Sequence, residues 1–426
     1  MRFFLVALGC KVNAYEISSL RESFVLRGYE ETKDETKADL IVINTCSVTA
    51  VADQKSRQHI RRYRRNNEKA IILVMGCYSQ KHAEECLSFG ASIVLGTTNR
   101  KTALESIDEF LKTKTPFIKI DPNLKGEYEE FGVIPFADTT RAYLKIQDGC
   151  NNFCSYCLIP FLRGASRSRT KEKALEECKR IIEEGYKEIV LTGIHIGGYG
   201  RDIYGNEYLF ADLVEDILKN NQSLYRLRIS SIEESEITPK FLRLLEEYDN
   251  IADHMHIPLQ SGSSSVLKRM HRKYDTESFL NKIEELRKIR PNMAITTDVI
   301  VGFPGENEEE WQETKDFCMK ARFSSIHVFP FSAREGTLAF AMPNQIDPKT
   351  KDRRVHELLE ISKTLHDEYK KKFYGTKMEV LIEGKNKENK MHYGRASNHL
   401  YVKTPNANCV EGDVVTVLYN KDSAAD

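Results

Sequence analysis

Gly149-Cys150-Asn151-Asn152-Phe153-Cys154-Ser155-Tyr156-Cys157 sets three thiols at C-x3-C-x2-C spacing, directly after the strand-like run at 142–147. Three soft ligands on one short loop can hold three irons of a cubane cluster and leave the fourth iron open. An electron-transfer ferredoxin would bring a fourth cysteine close by, and here the next is Cys178. A zinc site would also need a fourth partner, usually from a second knuckle. On this stretch alone, a zinc loop or a chance grouping stays open.

Working outward, strand-like runs at 143–147, 188–192, 225–230, 254–258, 294–301 and 325–331 alternate with helical patterns. Six strands with intervening helices predict an open six-stranded (β/α) barrel over about 136–345, with its sites at strand ends and the loops after them. The thiol loop follows the first of these strands, as that rule requires. Upstream, apolar runs at 3–8, 40–44, 71–75 and 93–95 alternate with helical patterns at 15–26, 53–65 and 80–87. Continuous apolar strands between helices predict a parallel-sheet α/β domain over 1–115, covered on both faces. Downstream, a helical pattern at 348–373 leads to short strands at 378–383, 399–403 and 414–419, separated by loops with Gly384, Gly394 and Gly412. That texture predicts a small C-terminal β-barrel over 374–426.

Cys10, Cys46 and Cys77 each follow a predicted strand of the N-terminal sheet. Ligands on such sheets collect at the carboxyl ends of strands. One such thiol is more often inert and buried, but three at equivalent strand ends can converge on a second cluster, again one protein ligand short. Cys86, Cys178, Cys318 and Cys409 lie on helical or C-terminal stretches outside both thiol groups and read as structural. Lys plus Arg and Asp plus Glu both total 63, so a nucleic-acid footprint must be local. Ten cysteines in 426 residues are too sparse for a disulfide scaffold and suit a reducing compartment. The stretch Leu5 to Cys10 imitates a lipoprotein cleavage site, yet its apolar run falls short of the roughly 7–15 residues of a signal core. It reads as a buried first strand of a cytoplasmic protein with no membrane segment.

Cys150-x3-Cys154-x2-Cys157 is the signature spacing of radical S-adenosylmethionine (SAM) enzymes, which this chain resembles. With Cys10, Cys46 and Cys77 ahead of it, essentially the whole chain resembles the methylthiotransferases of that superfamily. Gly9-Cys10-Lys11-Val12-Asn13, Asn44-Thr45-Cys46-Ser47-Val48-Thr49 and Gly149 to Cys154 look most like the type that modifies N6-threonylcarbamoyladenosine at tRNA position 37. The resemblance implies two [4Fe–4S] clusters and SAM. The cluster on Cys150, Cys154 and Cys157 would cleave SAM to a radical that removes hydrogen from C2 of the base. The cluster on Cys10, Cys46 and Cys77 would carry the sulfur, methylated by a second SAM. It further implies SAM contacts at Tyr156, at Thr192, Gly193 and Ile194, and at Ser230, Gln260, Ile300 and Gly302. Ordinary turn chemistry explains any one of these strand exits equally well. The implied partners are tRNA, an electron donor such as flavodoxin or ferredoxin, and a sulfur source. In its position, the C-terminal barrel resembles a TRAM domain, an RNA-binding module.

An unactivated C2–H offers no acidity to a side chain, so cofactors must carry this chemistry. No Gly-x-Ser-x-Gly or Ser/Cys–His arrangement competes. The run from Lys55 to Arg65 contains no acid. On a helix, Arg57, Arg61 and Arg64 or Arg65 would share a face, which reads as phosphate contact against the plainer reading of a solvated face. Tyr393 and Tyr401 could stack on bases or fill the small barrel's core. Arg163, Arg167 and Arg169 are the nearest cations in sequence that could receive the carboxylate of a threonylcarbamoyl group, or else serve phosphate binding or salt bridges. His254 and His256 alternate along one strand and face one side, for packing or substrate contact. The glycine-rich stretch 193–200 lacks dinucleotide-fold spacing. Alternative functions are methylthiolation of isopentenyl-adenosine tRNA or of a ribosomal protein, and a non-catalytic iron–sulfur RNA-binding protein.

Overall fold

A computed structural model describes residues 1–124, 126–131, 140–386, 388, 390–405 and 408–425. Its first unit is a six-stranded parallel sheet: β1 (Arg2–Ala7), β2 (Glu30–Glu31), β3 (Leu40–Thr45), β4 (Ile71–Gly76), β5 (Ile93–Leu95) and β6 (Phe117–Lys119), in the order β2-β1-β3-β4-β5-β6. All residues of β3 and β4 are buried, as their uninterrupted apolar sequences require of central strands covered on both faces. Alternate residues divide between two cores, with Leu40 and Val42 on one face and Ile41 and Ile43 on the other. The sheet runs past the expected boundary at residue 115, because β6 pairs with β5. A three-residue, half-buried edge strand leaves no periodicity to read. The helix expected over 80–87 is two shorter ones, Cys77–Lys81 and Ala83–Ser88, broken at His82.

The second unit contains β7 (Ala142–Lys145), β8 (Gln147–Asp148), β9 (Arg167–Ser168), β10 (Glu188–Thr192), β11 (Arg226–Ile229), β12 (His254–His256), β13 (Ala294–Val301) and β14 (Ser325–Pro330). Strands β7, β10 and β11 form one parallel sheet and β12, β13 and β14 another, with a parallel bridge from Leu227 to Ile251 between them. The six therefore follow one another in chain order. Strands β8 and β9 form an antiparallel pair on either side of the thiol loop, which periodicity did not reveal. The expected start at residue 136 lies outside the described residues.

The helix Pro348–Lys371 packs along β14 and leads to β15 (Lys377–Lys385), β16 (His392–Ala396), β17 (Tyr401–Thr404) and β18 (Val414–Leu418), ordered β17-β16-β15-β18. The chain leaving β18 returns to the far edge, where Lys403 N–H donates to Ser423 O at 2.8 Å and Val402 bridges Ala424. The antiparallel sheet is thus curled on itself. Strand β16 was expected as a loop because it holds Gly394. That glycine sits where a Cβ would run into the backbone carbonyl of Leu381, a close approach that calls for glycine inside a strand.

The units are welded together. Tyr15, on the helix Lys11–Leu26, enters the barrel's core, and its hydroxyl donates to Glu177 at 3.2 Å. Arg228 of β11 donates to the carbonyls of Ala396 and Ser397 in the C-terminal sheet.

Candidate active site between two cysteine loops

The N-terminal thiols leave the carboxyl ends of neighbouring strands. Cys10 caps the helix Lys11–Leu26 after β1, Cys46 follows β3, and Cys77 opens the helix Cys77–Lys81 after β4. Cys10 is exposed, whereas Cys46 and Cys77 are buried. Gly9 adopts φ +89°, and a Cβ there would stand 2.5 Å from Cys46 Sγ, so only glycine lets the two loops meet. The three thiols act on one another electrostatically. Burial, and then the nearby Cys77, pushes the Cys46 thiol up to about 12, and Cys77 is raised by burial with a contribution from Cys10.

The barrel's thiols sit on a loop pinned at both ends. Gly149 adopts φ +69°, Cys150 N–H donates to Gly164 O at 3.1 Å, and Ser155 N–H donates to Met270 O at 3.1 Å. The sulfurs collect donors: Asn152 N–H to Cys150 and Ile159 N–H to Cys157, both at 3.4 Å, and Arg272 Nη1 to Cys154 at 3.2 Å. Arg163 Nε donates to Cys77 at 3.3 Å. Donors aimed at sulfur are what anionic, iron-bound thiolates need. Among the described residues no three cysteines have sulfurs within 4.8 Å of one another, so neither set is gathered around a single-ion position. Cys10, Cys46 and Cys77, and Cys150, Cys154 and Cys157, are therefore the residues that could hold two clusters.

The two loops face each other. Leu158 and Leu162, next to Cys157, pack on Cys77. Arg163 spans the gap, giving Nη2 to Asn13 at 2.8 Å and Nη1 to Glu16 and Asp148, each at 2.9 Å. The segment after β14 straps both loops. Ser332 Oγ accepts from Ala50 N–H at 3.2 Å, Arg334 reaches Asp53 at 2.5 Å and Ser47 Oγ at 3.0 Å, and Ala339 N–H donates to Ser155 O at 2.8 Å.

Between the loops lies a cavity of about 210 Å³, lined on one side by Tyr156, Gln260 and Ile300 and on the other by Val48, Thr49 and Arg334. Three of the expected SAM contacts thus share one cavity. Gln260 adopts φ +69°, bridging Asp298 O and Ile300 N–H. Thr192, Gly193, Ile194 and Ser230 sit at the ends of β10 and β11, outside that lining. Gly302, at φ +72°, instead donates its N–H to Glu306 at 2.6 Å, a turn contact. A second cavity of about 210 Å³ reaches Cys154, Arg272 and Glu233. Beside it His195 contacts Glu236 at 2.7 Å. Burial opposes charge on His195, yet hydrogen bonds to Cys150 and Glu236 outweigh it and raise it to about 10.

Several expectations change. Arg163, Arg167 and Arg169 are all buried. Arg163 and Arg169 hold carboxylates, and Arg167, which donates to Leu124 O at 3.3 Å, is buried with them away from the surface. In the helix Ala50–Asn66, Arg64 donates to Gly90 O, Glu68 O and Ala70 O, so it is a structural tie. Arg57 lies over Tyr78 and Arg61 over Phe89, while Arg61 and Arg65 stay exposed. Tyr393 and Tyr401 pack on each other, half-buried, with ring centroids 5.6 Å apart. Cys86, Cys178, Cys318 and Cys409 are buried in apolar cores. Arg272 and the Arg334 strap went unforeseen, since a single basic residue in a loop carries no spacing to read.

Residues 144–318 match the radical SAM superfamily, and residues 2–96 match a family described as uncharacterized, UPF0004. Among solved structures, the radical SAM methyltransferase TsrM from Kitasatospora setae has a TM-score of 0.57 at 14% identity, covering 77% of this chain and 72% of that one. That is a likeness of fold alone. Fold and thiol loop together define a radical SAM enzyme. The threonylcarbamoyladenosine tRNA methylthiotransferase MtaB of Bacillus subtilis (strain 168) is 44% identical over 415 residues, 96% of this chain and 92% of the relative. The MtaB of Chlamydia pneumoniae is 39% identical over 89% of this chain and 86% of its own length. A tRNA-2-methylthio-N(6)-dimethylallyladenosine synthase from Carboxydothermus hydrogenoformans is 34% identical over 97% of this chain and 96% of its own. The chain belongs to the MtaB-type radical SAM methylthiotransferases, whose cofactors are SAM and [4Fe–4S] clusters.

Proposed function

We propose that this enzyme converts N6-threonylcarbamoyladenosine at tRNA position 37 to its 2-methylthio derivative. The observation that carries the reading is the 44% identity to an MtaB enzyme across 96% of this chain. When bound, the clusters and SAM supply hydrogen abstraction from C2, the sulfur and its methyl group. Cys150, Cys154 and Cys157 would hold one cluster, and Cys10, Cys46 and Cys77 the other. Arg272 and Arg163 stabilise negative charge on Cys154 and Cys77 through their hydrogen bonds. Tyr156, Gln260 and Ile300 wall the SAM side of the central cavity. Leu158 and Leu162 keep water from the space between the loops.

The N-terminal sheet, the barrel and the curled C-terminal sheet are three domains, the last TRAM-like and RNA-binding. Arg61 and Arg65 contact tRNA phosphates. Flavodoxin or ferredoxin supplies electrons, and a separate donor replenishes sulfur. Among the described residues no helix is long and apolar enough to cross a membrane, in keeping with a cytoplasmic enzyme. Anaerobically reconstituted protein, SAM and reductant should methylthiolate tRNA bearing threonylcarbamoyladenosine. On tRNA bearing isopentenyl-adenosine the rate should be lower by ~10⁴-fold, because a site built for polar groups leaves them unpaired against an apolar one. Efficient turnover of the isopentenyl form, read by nucleoside mass spectrometry, would overturn the substrate assignment.

A further inference from the structure

Arg163, Arg167 and Arg169 are buried, whereas polar groups border the cavity from the barrel strands. His256, Asp298 and His327 stand on the neighbouring strands β12, β13 and β14, with ligating atoms all within 4.8 Å of one another. Asp298 Oδ2 faces His256 Nε2 at 3.3 Å, and Asp298 Oδ1 faces His327 Nδ1 at 3.1 Å. His256 Nδ1 meets Thr296 Oγ1 at 2.9 Å, which fixes that ring. The imidazoles lie nearly parallel, 28° apart with centroids at 5.6 Å. Burial works against charge on Asp298, and the hydrogen bonds from His256 and then His327 outweigh it, holding the carboxyl well below its ordinary range.

Placement gives the cluster its meaning. Asp298 and Ile300 alternate on one face of β13, and both line the cavity between the cysteine loops. His327 shares the corresponding face of β14 with Phe329, which also lines it. The cluster is therefore a polar continuation of that cavity. His327 keeps 58% of its side chain exposed while its Nδ1 is tied to Asp298. With Nδ1–H given to Asp298, its second nitrogen is a donor in the imidazolium form, whose charge the carboxylate backs.

We propose that His256, Asp298 and His327 form the receptor for a carboxylate-bearing substituent on the substrate base, with His327 making the contact. The proposal rests on the functional reading above and names the residues that read the threonylcarbamoyl group. Asp298 orients both imidazoles, and His327, as the imidazolium, meets the substrate carboxylate through Nε2–H in a charge-assisted hydrogen bond. An isopentenyl group would leave that donor unanswered.

The test uses the loaded enzyme and two anticodon stem-loops. One carries threonylcarbamoyladenosine, and the other is the same RNA with the carboxylate converted to an amide. Binding and kcat/KM are measured for the parent, for His327→Phe and for Asp298→Asn, with iron content as the folding control. The parent should prefer the acid. His327→Phe should lower kcat/KM on the acid by roughly 10- to 150-fold, the range for a hydrogen bond to a charged group, and change the amide little. Asp298→Asn should erase the preference in the same way. Equal losses on acid and amide would overturn the proposal. So would a preference that vanishes with EDTA and returns with Mn²⁺, since the three residues would then hold a cation. If the parent turns over neither RNA, the functional reading fails, and the binding preference still decides the receptor.

Discussion

Replacing Glu16 by Met removes one anion from the most buried charge cluster of this protein. Glu16 on the helix Lys11–Leu26 meets Arg100, Lys145 at 2.9 Å and Arg163 at 2.9 Å, and the side chains of all four are 0–1% exposed. Asp148 and Glu129 complete a set of three cations and three anions. Without Glu16 the set carries one unbalanced buried positive charge, and Lys145 keeps only Asp148, at 2.6 Å. Breaking a buried pair in this way costs about 3–5 kcal/mol, against a total stability of roughly 5–15 kcal/mol. Lys145→Met should cost a similar amount by leaving an unbalanced negative charge. The double variant restores neutrality, so equilibrium urea unfolding should show it destabilised by less than the summed singles, with a coupling of about 1–3 kcal/mol. The effect also has a pH signature. Burial opposes ionisation of Glu16, but Arg100, Arg163 and Lys145 hold its folded-state value well below the ordinary 4.5. A depressed carboxyl contributes stability above its unfolded value and loses it as pH falls through the folded one. The gap between parent and Glu16→Met should therefore be full at neutral pH and shrink only below about 4.5. Additive single effects, within about 0.5 kcal/mol, would refute the idea that these residues act as one neutral cluster.

Two further outcomes follow from the thiols and the basic helix. Reconstituted protein should hold about eight irons per chain, and the Cys150, Cys154 and Cys157 triple Ala variant about half that number with no deoxyadenosine formed. An iron count equal to the parent's would remove those residues as ligands. Reversing the charge of Arg61 and Arg65 should flatten the slope of log tRNA affinity against log salt by roughly 1.4–1.8. An unchanged slope would make that helix a solvated face.

The fold was legible where physical chemistry writes it locally. Buried parallel strands need continuous apolar runs, and LIVINT at β3 and IILVMG at β4 announce themselves. The places of Cys10, Cys46 and Cys77 at strand ends were legible because each closes an apolar run. Strands β6 and β16 were missed for opposite reasons. The first is three residues long at a sheet edge, and the second owes its glycine to contact with a neighbouring strand far away in sequence.

Charge was the least legible quantity, because a cation's role is set by what faces it across the fold. Arg163 looked available beside the thiol loop and proves to be fully buried, while Arg64 turns from the basic face of its helix to backbone carbonyls. Conversely, His327 carried no signal among eleven histidines until the barrel set it against Asp298. Arg163 and His327 have one thing in common: their partners lie on other strands or another unit of the fold. Arg163 ties Asn13 and Glu16 of one domain to Asp148 of the next and touches Cys77 as well. A single side chain thereby couples the docking of the two units to the position of the Cys77 thiol. Chemistry that must reach one carbon from two cysteine loops depends on holding them at a fixed separation, and a 1 Å misplacement can cost ~10²-fold in rate. Of the readings the sequence left open for these cations, the salt bridge is the one Arg163 and Arg169 take, and Arg163 helps to set that separation.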